Sequence, residues 1–212
     1  MLDRFTWFKQ SAFLWRGDGV NVYIDPWGLT VEEPADVLLI THAHSDHFSM
    51  EDIERIRKSH TKVFAPHDVA NELSGDVTPV QPGDSIQAGG LSAEVVHAYN
   101  VNEARLEAHP KSNKWVGYVM TLGGHSYYHA GDTDHAPELD AIKADVAMVP
   151  IGGTYTMEAE EAADLVKTIR PALAVPMHYG FVVGTPSDAE KFASAASPVE
   201  VRTLTPEHPF EK

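Results

Sequence analysis

The order of strand, turn and helix signals predicts an α/β fold for this 212-residue chain. Three observations carry that prediction. Both halves open with short β-branched and aromatic runs separated by Gly, Pro and Asp, the pattern of strands joined by tight turns. Both then finish with aliphatic strands alternating with helical stretches. No linker-like or low-complexity segment interrupts the chain, so residues 1–212 are expected to form a single domain, long enough for a substantial core. An internal duplication fits this arrangement, although no residue-level repeat accompanies it.

Taken in order, residues 13–16 read as a strand, Gly17-Asp18-Gly19 as a hairpin turn, and residues 20–24 as the return strand. Asp25-Pro26-Trp27-Gly28 breaks the sheet. Residues 37–40, Val-Leu-Leu-Ile, form a short aliphatic run of the kind found in buried strands. Ser49 opens a helix to about residue 58, with Asp52 in the capping-box position and Ile53 and Ile56 as its apolar stripe. A strand over 63–65 and a short helical segment over 68–73 follow. Residues 77–80, 85–86 and 91–98 read as strands separated by Pro-Gly-Asp and Gly-Gly turns. Residues 99–114 form a loop that is long for a compact domain, and such loops often carry function.

Strands over 115–121 and 125–129 are joined by Leu122-Gly123-Gly124, and a helix begins near Pro137, a favoured early helical position for proline. Residues 145–150 form a strand and 156–170 a helix with Leu165, Val166 and Ile169 on its inner stripe; Pro171 stops it. Residues 172–176 form a strand. Ser187 and Glu190 suggest a capping box for a last helix to about residue 196, and residues 199–204 supply an edge strand.

The chemistry concentrates directly after the strand over 37–40, in Thr41-His42-Ala43-His44-Ser45-Asp46-His47. Three imidazoles and a carboxylate within six residues offer N and O donors suited to zinc and similar divalent metals. His42 and His44, two apart, can point to one side of an extended backbone. Asp46 and His47 are adjacent and must diverge, which suits donation to a second metal. A structural zinc site would be closed by four ligands, usually including cysteine, and this chain has none.

Further donors lie downstream. Asp132, in Ala130-Gly131-Asp132-Thr133-Asp134, follows a strand and precedes a helix, where its two oxygens can serve one cation each or cap a turn. His178 ends a strand in Met177-His178-Tyr179-Gly180. The remaining imidazole comes from His109, in the long loop, or from His97, at the end of its strand; the loop position favours His109. Asp25 either supports a metal-bound imidazole or forms a turn before proline. His67 suits a helix start, His129 a packed strand position and His135 the edge of a cleft. Tyr155, Lys111 and Tyr179 have packing or surface explanations beside a substrate-binding one.

His-x-His-x-Asp-His after a buried strand, with Ala-Gly-Asp-Thr and Pro-Met-His-Tyr-Gly downstream, resembles the metallo-β-lactamase superfamily over nearly the whole chain. The resemblance implies a four-layer αβ/βα sandwich, two facing mixed β-sheets with outer helices, and a dinuclear metal site at one edge. It implies His42, His44 and His109 on the first metal, Asp46, His47 and His178 on the second, and Asp132 bridging. His109-Pro110-Lys111 resembles related single-domain members, which also favours His109 over His97. The expected cofactor is a pair of divalent ions, Zn2+ by default, with Mn2+ or Fe as alternatives for the same donors. Two such ions about 3.5–4 Å apart activate a shared water and clamp the reacting group, so no serine or cysteine nucleophile is needed. Asp46 and Asp132 are the expected catalytic carboxylates. By motif the chain looks closest to the branch of L-ascorbate 6-phosphate lactonase and N-acyl-phosphatidylethanolamine phospholipase D, so the expected substrate is a small ester, lactone or phosphodiester.

Composition limits the rivals. Sixteen basic against thirty-one acidic residues give a net charge of −15, which argues against extended contact with a nucleic-acid backbone and hence against a nuclease. A non-catalytic metal-binding scaffold is opposed by the complete donor set. No apolar stretch approaches the roughly 20 residues of a membrane span. The first residues lack a basic region followed by an apolar one, so no secretory signal is expected, and absence of cysteine suits a reducing cytoplasm.

Overall fold

The computed structural model describes residues 1–212. Twelve strands form two six-stranded sheets. The first sheet holds β1 (Phe5–Trp7), β2 (Phe13–Gly17), β3 (Val20–Ile24), β4 (Val37–Leu39), β5 (Lys62–Pro66) and β6 (Val77–Val80), side by side in chain order. The second holds β7 (Ser85–Ala88), β8 (Leu91–His97), β9 (Val116–Leu122), β10 (His125–His129), β11 (Val146–Pro150) and β12 (Leu173–Met177), also in chain order. Each sheet starts as an antiparallel meander and ends parallel: β1 to β3 and β7 to β10 are antiparallel, while β3 to β6 and β10 to β12 are parallel. The architecture is the expected α/β sandwich of two mixed sheets.

Side-chain alternation explains the packing. Val22, Ile24, Val37 and Leu39 enter the main core, where they meet Val95, Val116, Tyr118 and Met120 of the second sheet. Their strand neighbours Tyr23, Leu38 and Ile40 point the other way, into a smaller core with Ile53 and Ile56 of α1 (Met50–Ile56). β4 is therefore apolar without interruption because both of its faces are buried. On the far side, α3 (Ala159–Ile169) turns Ala162, Leu165, Val166 and Ile169 into the main core. No helix is long and apolar enough to cross a membrane.

Several elements differ from the sequence reading, each for a local reason. β1 is additional; it pairs with β2 across a tight turn at Lys9–Ala12, where Ala12 N–H bonds the Lys9 carbonyl. α2 (His67–Ala70) is a single turn, and the segment at Pro137–Ala141 winds only as 3₁₀ helix. α3 starts three residues late, because Gly152 and Glu158 form a β-bridge and Met157 N–H bonds the Thr133 carbonyl. Ser49 caps α1 as read, its Oγ accepting from Asp52 N–H at 3.2 Å. The Asp52 carboxylate instead receives the N–H groups of Gly28 and Leu29, tying the Asp25–Gly28 turn to the helix.

Ser187 does not cap α4 (Ser187–Ala195). Asp188 reaches back to the Thr185 N–H at 2.7 Å, two residues before the helix. Residues 199–204 reduce to one bridge, Val201 to Ala174 on β12.

Candidate metal centre

The two sheets meet where β4 ends. Thr41 carbonyl accepts the Val116 N–H at 3.1 Å, and Tyr118 hydroxyl donates to the Ile40 carbonyl at 2.8 Å. Beyond Thr41 the chain turns tightly, with the N–H groups of His47 and Phe48 both on the His44 carbonyl. That turn folds Asp46 and His47 back beside His42. Asp132 arrives from the second sheet through Gly131, whose φ is +63° and where a Cβ would sit 2.8 Å from the Val116 carbonyl oxygen. Only glycine fits that crossing without strain. His178 leaves β12 in left-handed conformation, φ +58°, and a Cβ on the adjacent Gly152 would overlap its carbonyl oxygen.

All seven predicted donors come together. His109 Nε2 lies 3.3 Å and His178 Nε2 3.0 Å from Asp132 Oδ2, with His42 Nε2 at 3.8 Å. His47 Nε2 lies 3.4 Å from the other oxygen, Asp132 Oδ1, and 3.7 Å from Asp46 Oδ2. His44 Nδ1 is 3.1 Å from His42 Nε2. His97 stands outside this cluster, against the ring of Tyr99 at the end of β8. His129 is buried on β10, its Nε2 on the Ser11 carbonyl. His135 pairs with Asp140, away from the donors. Tyr179 is buried against Trp7, whereas Tyr155 lines the cleft above the cluster. Lys111 pairs with Glu138 and the Tyr99 hydroxyl.

Surrounding hydrogen bonds fix which ring nitrogens face inward. Asp25, fully buried, accepts the Thr41 N–H and Oγ–H at 2.7 Å each and His47 Nδ1–H at 2.8 Å. With its hydroxyl hydrogen on Asp25, Thr41 Oγ1 accepts from His42 Nδ1–H at 2.9 Å. His109 Nδ1–H donates to the Tyr155 carbonyl at 3.1 Å. His42, His47 and His109 thus all present an Nε2 lone pair to the centre when neutral, the arrangement a metal ligand requires.

Electrostatics in the cluster is strongly coupled. Burial holds the His42 and His44 imidazoles below their ordinary range, and neighbouring imidazoles push the same way. Burial also opposes charge on His47 and His178, but the carboxylates override it. His47 rises well above its usual value beside Asp132, Asp46 and Asp25, and His178 is raised to about 9 chiefly by Asp132. Asp46 and Asp132 are held below the usual carboxylate range despite their burial, by His47 and His178.

Three buried donor atoms, His47 Nε2, His109 Nε2 and Asp132 Oδ1, have no hydrogen-bond partner. Buried polar atoms left unpaired are costly, and here the two imidazole nitrogens flank the Asp132 carboxylate, His47 on Oδ1 and His109 on Oδ2. That geometry, together with an all-N/O donor set, fits divalent metal binding. The donors group as His42, His44, His109 and Asp132, and as Asp46, His47 and His178, with ligand atoms in each group within 4.8 Å of one another.

Two neighbours escaped the sequence reading. Gln10, buried in the β1–β2 turn, donates from Nε2 to Asp46 Oδ2 at 3.0 Å and lies 3.0 Å from His178 Nε2. Its N–H₂ must face the carboxylate, since the opposite flip would set two oxygens together. Trp115 walls the other side, its ring 5.0 Å from both His42 and His44, held by Nε1–H on Asp68. A cleft of about 300 Å³ opens above the donors. A larger groove, about 1050 Å³, runs over β7 to β10 and contains no such cluster.

Residues 4–178 match the family described as the Beta-lactamase superfamily domain. A UPF0173 metal-dependent hydrolase of Thermoplasma acidophilum is 35% identical over 183 residues, 81% of this chain and 78% of that protein. One from Methanopyrus kandleri is 31% identical over 99% of this chain and all of its own. Among solved structures, Igni18, a metallo hydrolase from Ignicoccus hospitalis, superposes with a TM-score of 0.78 at 28% identity, covering 96% of this chain and 95% of its own. The chain belongs to the metallo-β-lactamase superfamily, within its UPF0173 metal-dependent hydrolases.

Proposed function

We propose that this protein is a dinuclear metal-dependent hydrolase of a small ester, lactone or phosphodiester, with zinc as the default ion. The observation that carries the reading is that His47 Nε2, His109 Nε2 and Asp132 Oδ1 are buried and unpaired, with the two imidazoles on either side of the Asp132 carboxylate. His42, His44 and His109 would hold one ion, Asp46, His47 and His178 the other, and Asp132 both, because its two oxygens face members of each set. Bound there, divalent ions lower the pKa of water toward about 7 and polarise the oxygen of the reacting group.

The protein's own groups do the rest. Asp25 and Thr41 lock the tautomers of His47 and His42. Gln10 fixes the rotamer of Asp46. Asp46, the less buried of the two carboxylates, lines the cleft and would orient a water there. Trp115 excludes bulk water from one side. Residues 1–212 act as one unit in this reading, since both sheets contribute donors and share the main core.

The test is turnover by the zinc-reconstituted protein of a chromogenic phosphodiester and a panel of lactones, with Asp132→Ala as the control for contaminating activity. Turnover abolished in a folded Asp132→Ala supports the reading. No turnover of any substrate above that control would favour a metal-binding scaffold.

A further inference from the structure

The connection between β8 and β9 delivers His109 at the end of a closed loop. Its neck is the bond from Asn100 N–H to the His109 carbonyl, at 2.8 Å. Within the loop, the buried Asn100 amide donates to the Arg105 carbonyl at 2.8 Å and to the Tyr155 carbonyl at 2.7 Å. The Tyr155 carbonyl is also the acceptor of His109 Nδ1–H, at 3.1 Å. The direction of the His109 ring therefore depends on where the loop backbone sits at Arg105.

Residues 101–104 and 106–107 are exposed, yet the Arg105 side chain among them is only 8% exposed. Burying a cation is costly unless it is paired and hydrogen-bonded. Arg105 Nε donates to Asp134, and its Nη2 to Glu161 of α3. Asp134 is fully buried, and its other oxygen accepts the Val101 and Asn102 N–H groups at 2.8 Å each. The other oxygen of Glu161 accepts the His135 N–H at 3.0 Å. Asp134 stands two residues beyond Asp132, so one carboxylate fastens the loop of His109 to the segment of Asp132. Guanidinium suits this junction, because its planar fork serves two carboxylates in fixed orientation, as an ammonium point charge does not. Arg105 is absent from the cleft lining, so its effect on the site passes through His109.

Resting on the metal-site reading above, we infer that Arg105 is a positioning residue for His109: paired with Asp134 and Glu161, it holds the loop that aims His109 Nε2 at the His42/His44/His109 set, and filling of that set depends on it. Without the guanidinium, two carboxylates lose the cation they share, and Asp134 holds the loop only through backbone N–H groups. Asn100 and the Tyr155 carbonyl then no longer confine the His109 ring to one tautomer. Asp46, His47 and His178 come from the turn after β4 and the end of β12, outside this loop.

Zinc is titrated into metal-free protein by calorimetry with chelator competition, and the two steps are assigned with His44→Ala, which removes a donor of the first set alone. Arg105→Met keeps an unbranched stem without the charge. It should weaken the step that His44→Ala removes by about 10–100-fold and leave the other unchanged. Glu161→Gln retains an oxygen for the His135 N–H and turns an N–H₂ toward Arg105. It should weaken the same step by about two- to ten-fold, the range of one hydrogen bond. Glu161 is 28% exposed, so this variant carries the test where Arg105→Met fails to fold.

Nitrogen-15 NMR of metal-free protein reads the ring directly. Neutral His109 should show a single Nδ1–H tautomer in the parent and a mixture in both variants, with His42 and His47 unchanged. Equal weakening of both zinc steps, weakening of neither, or an unchanged His109 signal would overturn the inference. A parent that binds fewer than two ions removes the dinuclear reading, and the His109 tautomer in metal-free protein still decides the role of Arg105.

Discussion

Asp25 accepts the Nδ1–H of His47 at 2.8 Å inside a fully buried pocket, and Thr41 extends the same carboxylate to His42. One acidic side chain thereby sets the tautomer of two imidazoles from different proposed metal sets. Outer partners of this kind are worth about 10–100-fold in metal affinity. Asp25→Asn keeps the shape but can offer an N–H where the carboxylate accepted one. It is predicted to weaken zinc binding by about that factor, measured by chelator competition. Unchanged affinity would show that the imidazoles are oriented by packing alone.

Gln10 holds Asp46 from outside the histidine motif. Gln10→Ala should lower occupancy of the Asp46/His47/His178 set while leaving the His42/His44/His109 set filled. Stability should fall by about 1–3 kcal/mol, the usual effect of deleting a buried hydrogen bond to a charged group. A two-step zinc titration followed by calorimetry distinguishes this from uniform weakening, which would contradict the assignment of Asp46.

Metal-free protein should carry a pH signature. His178 is raised to about 9 and His47 also rises, so each stabilises the folded state fully below the unfolded histidine value of about 6.5. That contribution is lost as pH climbs through the folded value. The carboxylates Asp46 and Asp132 are shifted down and stay ionised in this window, and His42 and His44 are shifted down and titrate below it. The melting temperature of chelator-treated protein is therefore predicted to fall between about pH 6.5 and 9. Zinc-loaded protein should lack this slope, because metal binding displaces the protons. Parallel slopes in both forms would contradict the proposed role of His178.

Gly131 lets Asp132 cross from the second sheet at φ +63° with the Val116 carbonyl close behind it. Gly131→Ala adds left-handed strain and a backbone clash, predicted to cost at least about 1–3 kcal/mol in urea unfolding. It should also displace the carboxylate and lower metal content. A variant as stable as the parent would show that the loop relaxes freely.

Much of this was readable in the residues, and the exceptions have a common cause. β4 and the donors after it announce themselves, because a doubly buried strand is continuously apolar and imidazoles rarely cluster. His109 was separable from His97 by its place in a long loop. Gln10 was not legible: from the turn between β1 and β2 it reaches Asp46, 36 residues away in sequence. The early start read for α3 failed similarly, since the bridge from Gly152 to Glu158 and the Thr133 contact override local helix propensity. Ser187 lost its cap to Asp188, whose carboxylate reaches the free Thr185 N–H directly. Short-range patterns located the donors, while the groups that orient them come from long-range packing.

The central claim, a two-ion site built from His42, His44, His109, Asp46, His47, His178 and Asp132, is tested most directly by counting bound metal. Elemental analysis after zinc reconstitution and desalting should find about two ions per chain in the parent and in His97→Ala, and about one in His109→Ala. One ion or none in the parent, or loss in His97→Ala with full occupancy in His109→Ala, would contradict the account.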